Sequence, residues 1–258
     1  MTEPFIKIEQ HAPLFGITPD NELLLNKRLI TPKMKNIIRL QDDFLGDVLA
    51  DQWSVVEGAD TGTSDAVVTN AIGGELVLTS GDSATVTYAG NGIQVTQGAF
   101  YNWKAANGGL RFATRLKIDD ITTAAFFAGF TDLGTFEAPI ESAGSANTIT
   151  TNATDAVGFM FDTRMTADNI WCVGVANGTD GTSVNSAIAP VNDTYLLLEF
   201  EVTSGGDALF YINGTAVGKV ADAVTASVAL TPTIAATSLA AASRVVTVDY
   251  IECEMYRT

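Results

Sequence analysis

Glu199 and Glu201, one residue apart in Leu198-Glu199-Phe200-Glu201-Val202, are the residues whose spacing best suits them to chemistry. On a strand, residues i and i+2 point to one face, so the two carboxylates stand side by side. A pair of carboxyl groups about 5 to 5.5 Å apart is what a retaining glycoside hydrolase uses, one as nucleophile and one as acid. The next positions, Val202, Thr203 and Ser204, supply no third acid, and no aromatic-rich strand accompanies the pair. The two glutamates are therefore read as an exposed polar strand face, and no enzymatic activity is expected. Nucleophilic catalysis of the Ser-His-Asp or Cys-His kind would need His11, the only histidine, which lies in a proline-rich stretch away from any serine or cysteine. One histidine and two cysteines, Cys172 and Cys253, cannot build a Cys/His metal cluster. Each cysteine sits in a half-apolar, strand-like run and reads as a buried free thiol. Among the aromatic residues, Tyr101 and Trp103 are candidates for stacking on a sugar, whereas Trp171 lies in an apolar run, Ile170 to Val175, and reads as core. The glycine-rich turns Gly90-Asn91-Gly92 and Asn177 to Gly181 do not join a strand to a helix, so no phosphate cradle is indicated.

The elements that would carry these residues are short alternating runs separated by Gly, Asn, Asp and Ser from Asp42 onward, the pattern of an antiparallel sandwich. In Leu110 to Ile118, the residues Leu110, Phe112, Thr114, Leu116 and Ile118 alternate with Arg111, Ala113, Arg115 and Lys117, which predicts one buried and one wet face. Ala124 to Thr131 is nearly continuous apolar text and suits a central strand. Gly205-Gly206 and Asn213-Gly214 can adopt positive φ and mark hairpins on either side of Ala208 to Ile212. A strand pair is expected across Ser80 to Ser83, linking Glu75–Thr79 to Ala84–Tyr88, and the last strand should run from Arg244 to Tyr256. Thr135 to Asp155, rich in Gly, Ser, Thr and Asn, is expected to be a long surface loop. No sustained helical period and no internal repeat appears, and roughly twelve strands fit two packed sheets.

The chain of 258 residues carries a net charge of −16, distributed unevenly. Residues 1 to 40 hold six bases and four acids, so the remainder carries −18 and repels phosphate backbones; nucleic acid is not an expected partner. No apolar stretch reaches the roughly 20 residues that cross a bilayer, and the first residues lack the pattern of a signal peptide. The first 40 residues also contain four of the seven prolines and three apolar clusters, Phe5-Ile6, Leu23-Leu24-Leu25 and Ile37-Ile38. That is too apolar for a free linker and too broken for a core, so the segment 1–41 reads as an extended arm that buries its clusters against either the chain's own sandwich or a neighbouring subunit.

Three stretches together resemble the concanavalin A-like lectin/glucanase jelly roll, in the form found in laminin-G-like modules and bacteriophage virion proteins. They are Asp42-Asp43-Phe44-Leu45-Gly46-Asp47 followed by Trp53; the hairpin from Leu198 through Asn213-Gly214; and Val248-Asp249-Tyr250-Ile251-Glu252. The resemblance implies an all-β, two-sheet antiparallel jelly-roll sandwich over residues 42–258 with an extended N-terminal arm. It further implies a virion structural protein, a capsid decoration or cement protein, made in the host cytoplasm and bound to the major capsid protein or other virion proteins as a homo-oligomer. The alternatives are a tail-fibre or baseplate module, or a carbohydrate-binding lectin-like module that meets a surface glycan. Some relatives of this kind hold a structural Ca2+ near an aspartate of the closing strand, a place similar to that of Asp249, although Ca2+ takes 6 to 8 oxygen ligands and one side chain supplies few of them.

Overall fold

The structure, a computed structural model, describes residues 37–68, 73–84, 87–98, 102–134, 137–144 and 147–256, with the backbone of three short strands nearer the N-terminus. Two eight-stranded antiparallel sheets form a sandwich. The first runs in the order Thr179–Asp180, Trp171–Ala176, Ala156–Asp162, Ala124–Thr131, Thr231–Ser238, Gly92–Thr96, Ser54–Glu57, with Val184–Asn185 also on the Trp171 strand. The second runs Thr215–Val220, Ala208–Ile212, Leu196–Val202, Leu110–Ile118, Val245–Tyr256, Leu76–Thr79, Ser64–Val67, with Ile37–Asp42 also on the Val245 strand. Hairpin-connected strands lie towards the edges, and the strands at the centre of each sheet are non-consecutive neighbours, as in a jelly roll.

Between the sheets the inward residues of alternating strands meet in a phenylalanine cluster. Phe112 stacks on Phe200 at 5.3 Å, and Phe159 meets Phe210 edge-on at 5.1 Å. Every inward residue expected in Leu110–Ile118 is buried, while Arg111, Arg115 and Lys117 reach the other side. Asn213 and Gly214 take φ of +50° and +76°, the left-handed pair that a two-residue hairpin needs. Cys172 and Cys253 are buried free thiols in this core, and burial pushes the Cys172 thiol up to about 12. The opening stretch is tied together by one side chain: Asp42 accepts from the Trp53 indole N–H at 2.8 Å and from the Phe44 backbone N–H at 2.9 Å.

Several expectations need correction. Among the described residues of the expected strand Ala84–Tyr88, Ala84, Thr87 and Tyr88 form no strand with Glu75–Thr79. Thr87 instead caps a helical turn at Tyr88–Asn91, its hydroxyl accepting from the Gly90 N–H, and Leu76–Thr79 pairs with the closing strand and with Ser64–Val67. The segment expected to be a surface loop contains a hairpin, Ile140–Ser142 with Ile149–Thr151. Its Ile140 and Ile149, with Ala153 and Met165, cover Phe127, Met160, Trp171 and Ala235 on the outer face of the first sheet. Burial on both faces is why Ala124–Thr131 and Thr231–Ser238 are buried at every position. The sandwich also begins earlier than Asp42: Ile37 and Ile38, assigned to the arm, pair with Tyr256 and Met255, and Ile38 packs on the core. Leu23–Leu25 is the middle strand of a separate three-stranded sheet with Phe15–Ile17 and Arg28–Ile30. Phe5, Ile6 and His11 lie outside the described residues. Among the described residues no helix is long and apolar enough to cross a membrane.

Candidate glycan-binding face

The outer face of the second sheet is where the charged residues gather, because its strands alternate core and solvent positions. Along the closing strand the outward residues are Tyr250, Glu252, Glu254 and Tyr256, between inward Ile251, Cys253 and Met255. The register extends this ladder sideways. Glu252 faces Ala113, which faces Glu199, which faces Tyr211; Glu254 faces Arg111, which faces Glu201, which faces Leu209. A β-bulge between Val248 and Tyr250 lies where the edge partner of the strand changes from Leu76–Thr79 to Ile37–Asp42. A bulge re-aims the side chain it carries. Here Asp249 is the extra residue, and it accepts from Arg115 at 2.7 Å.

Ion pairs tie the face together. Arg111 lies 3.1 Å from Glu199 and 3.9 Å from Glu254, and Arg39 bonds Glu254 and lies 3.7 Å from Glu252. Burial alone would lower the Arg111 pKa, but the Glu199 hydrogen bond and the charges of Glu252 and Glu254 outweigh it and raise it. Tyr250 has its hydroxyl pKa raised by burial and then by Glu199, Glu252 and Asp249, so it stays a hydrogen-bond donor well into alkaline conditions. At the far side of the face the Arg115 guanidinium lies 4.0 Å from the centre of the Tyr195 ring, and the Tyr195 hydroxyl donates to Glu75.

A cavity of 320 Å³ opens at the Tyr256 end, bounded by Gly108, Gly109, Arg111, Glu201, Glu254 and Tyr256. Its floor depends on glycine. Gly108 has φ +109°, and a Cβ there would lie 3.1 Å from the Tyr256 Cβ and 3.2 Å from a ring carbon. Gly109 has φ +110°, and its Cβ would lie 2.8 Å from the Val202 carbonyl oxygen. Tyr256 thus lies against Gly108 while remaining 51% exposed.

The candidate residues read from sequence are distributed as follows. Glu199 and Glu201 do share this face, Glu199 paired with Arg111 and Glu201 exposed at the cavity. Trp103 does not reach the surface: it is 5% exposed, donates its indole N–H to Gln97 at 2.8 Å and packs on Phe130, so no sugar can stack on it. Trp171 is buried, as its apolar neighbours suggested, and Tyr101 lies outside the described residues. Asp249 does not fit a Ca2+ site, since its carboxylate is engaged by Arg115 and no group of three or more His, Cys, Asp or Glu among the described residues could hold a metal. Sequence reasoning missed Tyr250, Tyr256, Tyr211 and Tyr195. The signal for the first two was present, because they have the same strand parity as Glu252 and Glu254.

The fold is the concanavalin A-like jelly-roll sandwich, a class that includes lectin domains and polysaccharide-cleaving enzymes. Among solved structures the chain is similar to the carbohydrate recognition domain of Emp47p, with TM-score 0.56 at 8% identity over 87% of this chain and 98% of that one. It is also similar to an endo-1,3-beta-glucanase from Streptomyces sioyaensis, with TM-score 0.54 at 14% identity over 86% of this chain and 98% of that one. A third is the endo-beta-1,4-glucuronan lyase from the fungus Trichoderma reesei, with TM-score 0.52 at 11% identity over 80% and 95%. No protein-family model matches the sequence, and no curated protein matches it. These neighbours overturn the expectation that the chain has no enzymatic activity, since the same sandwich serves a hydrolase and a lyase. A third acid need not lie on the same strand, since the sheet brings Glu199 and Glu252, from different strands, to either side of Ala113.

Proposed function

We propose that the chain is a lectin-like carbohydrate-binding module whose glycan lies along the open face of the second sheet. The observation that carries this reading is the outward ladder of the closing strand, in which Tyr250 and Tyr256 bracket Glu252 and Glu254. Six residue steps along the strand separate the two tyrosines by about 20 Å, room for a chain of several sugars. The rings offer flat apolar area to the C–H faces of a sugar, and the carboxylates and guanidiniums, already held by one another, offer fixed acceptors and donors to its hydroxyls. The likeness of fold to a carbohydrate recognition domain supports the reading. Calorimetric titration with a panel of neutral and charged oligosaccharides tests it. Tyr250→Ala and Tyr256→Ala should each weaken binding about tenfold, a loss of about 1.4 kcal/mol, with melting temperatures almost unchanged. Binding that neither substitution weakens, or no binding to any glycan, would sink it.

A second reading, attachment to a larger assembly such as a phage capsid shell, draws on the separate sheet formed by Phe15–Ile17, Leu23–Leu25 and Arg28–Ile30. On that reading, deletion of residues 1–31 leaves the melting temperature of the sandwich unchanged and abolishes association with particles. Full occupancy of particles by the truncated chain would remove the arm from the mechanism.

A further inference from the structure

We infer that the cavity at the Tyr256 end of the open face selects a glycan carrying a free, protonated amine, with Glu201 as its counter-ion and the Tyr256 ring as its wall. This rests on the carbohydrate-binding reading above and names the sugar class that this end of the face takes.

Charge is unbalanced at the cavity. Four carboxylates, Glu199, Glu201, Glu252 and Glu254, stand on adjacent strands with two guanidiniums, Arg39 and Arg111. Arg111 is held by Glu199 and lies near Glu254, and Arg39 is shared between Glu252 and Glu254. Glu201 is left over. It is exposed, it lines the cavity, and among the described residues it has no hydrogen-bond or ion-pair partner. The next cation along its row, Lys219, faces Leu209 and is bound to Asp207 at 2.8 Å. A ligand that enters the cavity therefore meets one uncompensated acceptor. An ammonium donates up to three hydrogen bonds to such a group and gains the charge attraction that a hydroxyl lacks.

The second observation is the ring. Tyr256 lies against the glycine floor at Gly108 and keeps half its surface in solvent beside the same cavity. A cation within about 6 Å of an aromatic face is attracted by its quadrupole. An acetylated amine keeps a single N–H donor but loses the charge attraction to Glu201 and the cation–π contact with Tyr256, because it is neutral. A uronate meets Glu201 and a protein of net charge −16, and is repelled.

The test is calorimetric titration of the full chain at physiological ionic strength, at a pH where glucosamine is protonated. The probes are a glucosamine tetramer, its fully N-acetylated counterpart and an oligogalacturonate. The tetramer with free amines should bind about tenfold more tightly than the acetylated one, and the uronate should not bind. Glu201→Gln should remove that preference while leaving the acetylated probe's affinity unchanged, whereas Asp65→Asn, an equal change of charge on the distant Ser64–Val67 strand, should leave it intact. Equal affinity for the two tetramers, or a preference that Glu201→Gln does not reduce or that Asp65→Asn reduces as much, overturns the amine selection but leaves the module reading standing. If none of the probes binds and a broad oligosaccharide panel is also silent, the carbohydrate reading and this inference fall together.

Discussion

On the outer face of the first sheet, Phe127, Met160, Trp171 and Ala235 lie under a hairpin and its flanking segment; on the outer face of the second, Arg111, Arg115, Glu199, Glu252 and Tyr250 reach towards solvent. The two sheets have the same number of strands and share one core, so the difference lies in what each presents outward. A face covered by its own chain has apolar residues at every second position on both sides, and the cover must be fastened. A face left open has to satisfy its charges laterally, strand to strand. The covered face is therefore where stability should be vulnerable, and the open face is where recognition can change at small structural cost.

The fastening of the cover gives the largest expected effect. Asp162 is fully buried and accepts from the Ser142 N–H at 2.9 Å, from the Arg164 N–H at 2.8 Å, from the Arg164 guanidinium at 3.0 Å and from the Tyr88 hydroxyl. Arg164 in turn reaches Glu141 at 3.1 Å, so one carboxylate joins the sheet, the hairpin and the Tyr88 helical turn. Asp162→Ala leaves the buried Tyr88 hydroxyl and the Ser142 and Arg164 backbone N–H groups without their acceptor, while the partly exposed Arg164 guanidinium keeps Glu141, and should cost about 3 to 5 kcal/mol in denaturant melts. Amide exchange should rise first across 137–151. A loss below about 1 kcal/mol would mean that apolar contact alone holds the cover.

Alkaline pH sharpens the same comparison. Tyr88 has its hydroxyl pKa raised well above the usual tyrosine range, by burial first and then by Asp162, and burial likewise raises Cys172 and Cys253. For an acid whose folded pKa lies above its unfolded one, the contribution to stability is complete below the unfolded value and is lost as pH rises towards the folded one. Melting temperature should thus fall as pH climbs past about 9 to 10, the unfolded range of thiols and phenols. Tyr88→Phe should flatten the part of that fall that begins near 10. An unchanged slope would place the alkaline sensitivity in the thiols or in Tyr195 and Tyr250, whose pKa values are also raised.

The same contrast explains what was legible in the residues. Leu110–Ile118 could be read at every position but Ala113, because one face is buried throughout and leaves a period of two in the text, while the small Ala113 side chain on the other face is covered by its neighbours. The cover could not: Ile140 and Ile149 sit among Ser, Gly, Thr and Asn, and their burial is dictated by Phe127 and Met160 from distant strands. Thr87 looked like part of a strand because Thr favours strands, yet its hydroxyl also caps helices, and the local hydrogen bond to Gly90 won. The site was half legible. The spacing of Glu199 and Glu201 singles them out, although it reads as a polar strand face; Trp103, a sugar-contact candidate together with Tyr101, is flanked in sequence by Asn102 and Lys104 and owes its burial to Phe130 on a distant strand.

The smallest expected effect lies on the open face. Arg115 has a side chain 45% exposed, pairs with Asp249 at 2.7 Å and lies over the Tyr195 ring at 4.0 Å. An exposed ion pair contributes about 0 to 1 kcal/mol once solvent screening and side-chain entropy are counted, and a surface cation–π contact adds about 0.5 to 1. Asp249, released by Arg115→Ala, sits at a bulge on the half-exposed side of the strand, where water can replace the guanidinium. Denaturant melts of Arg115→Ala should therefore show a loss of about 1 kcal/mol or less with an unchanged denaturant slope. A loss of about 3 kcal/mol, comparable with Asp162→Ala, would show that the lateral ion pairs hold the sheet together as the hairpin pins hold the other face. The open face would then be a second structural layer, and changes of recognition on it would no longer come at small structural cost.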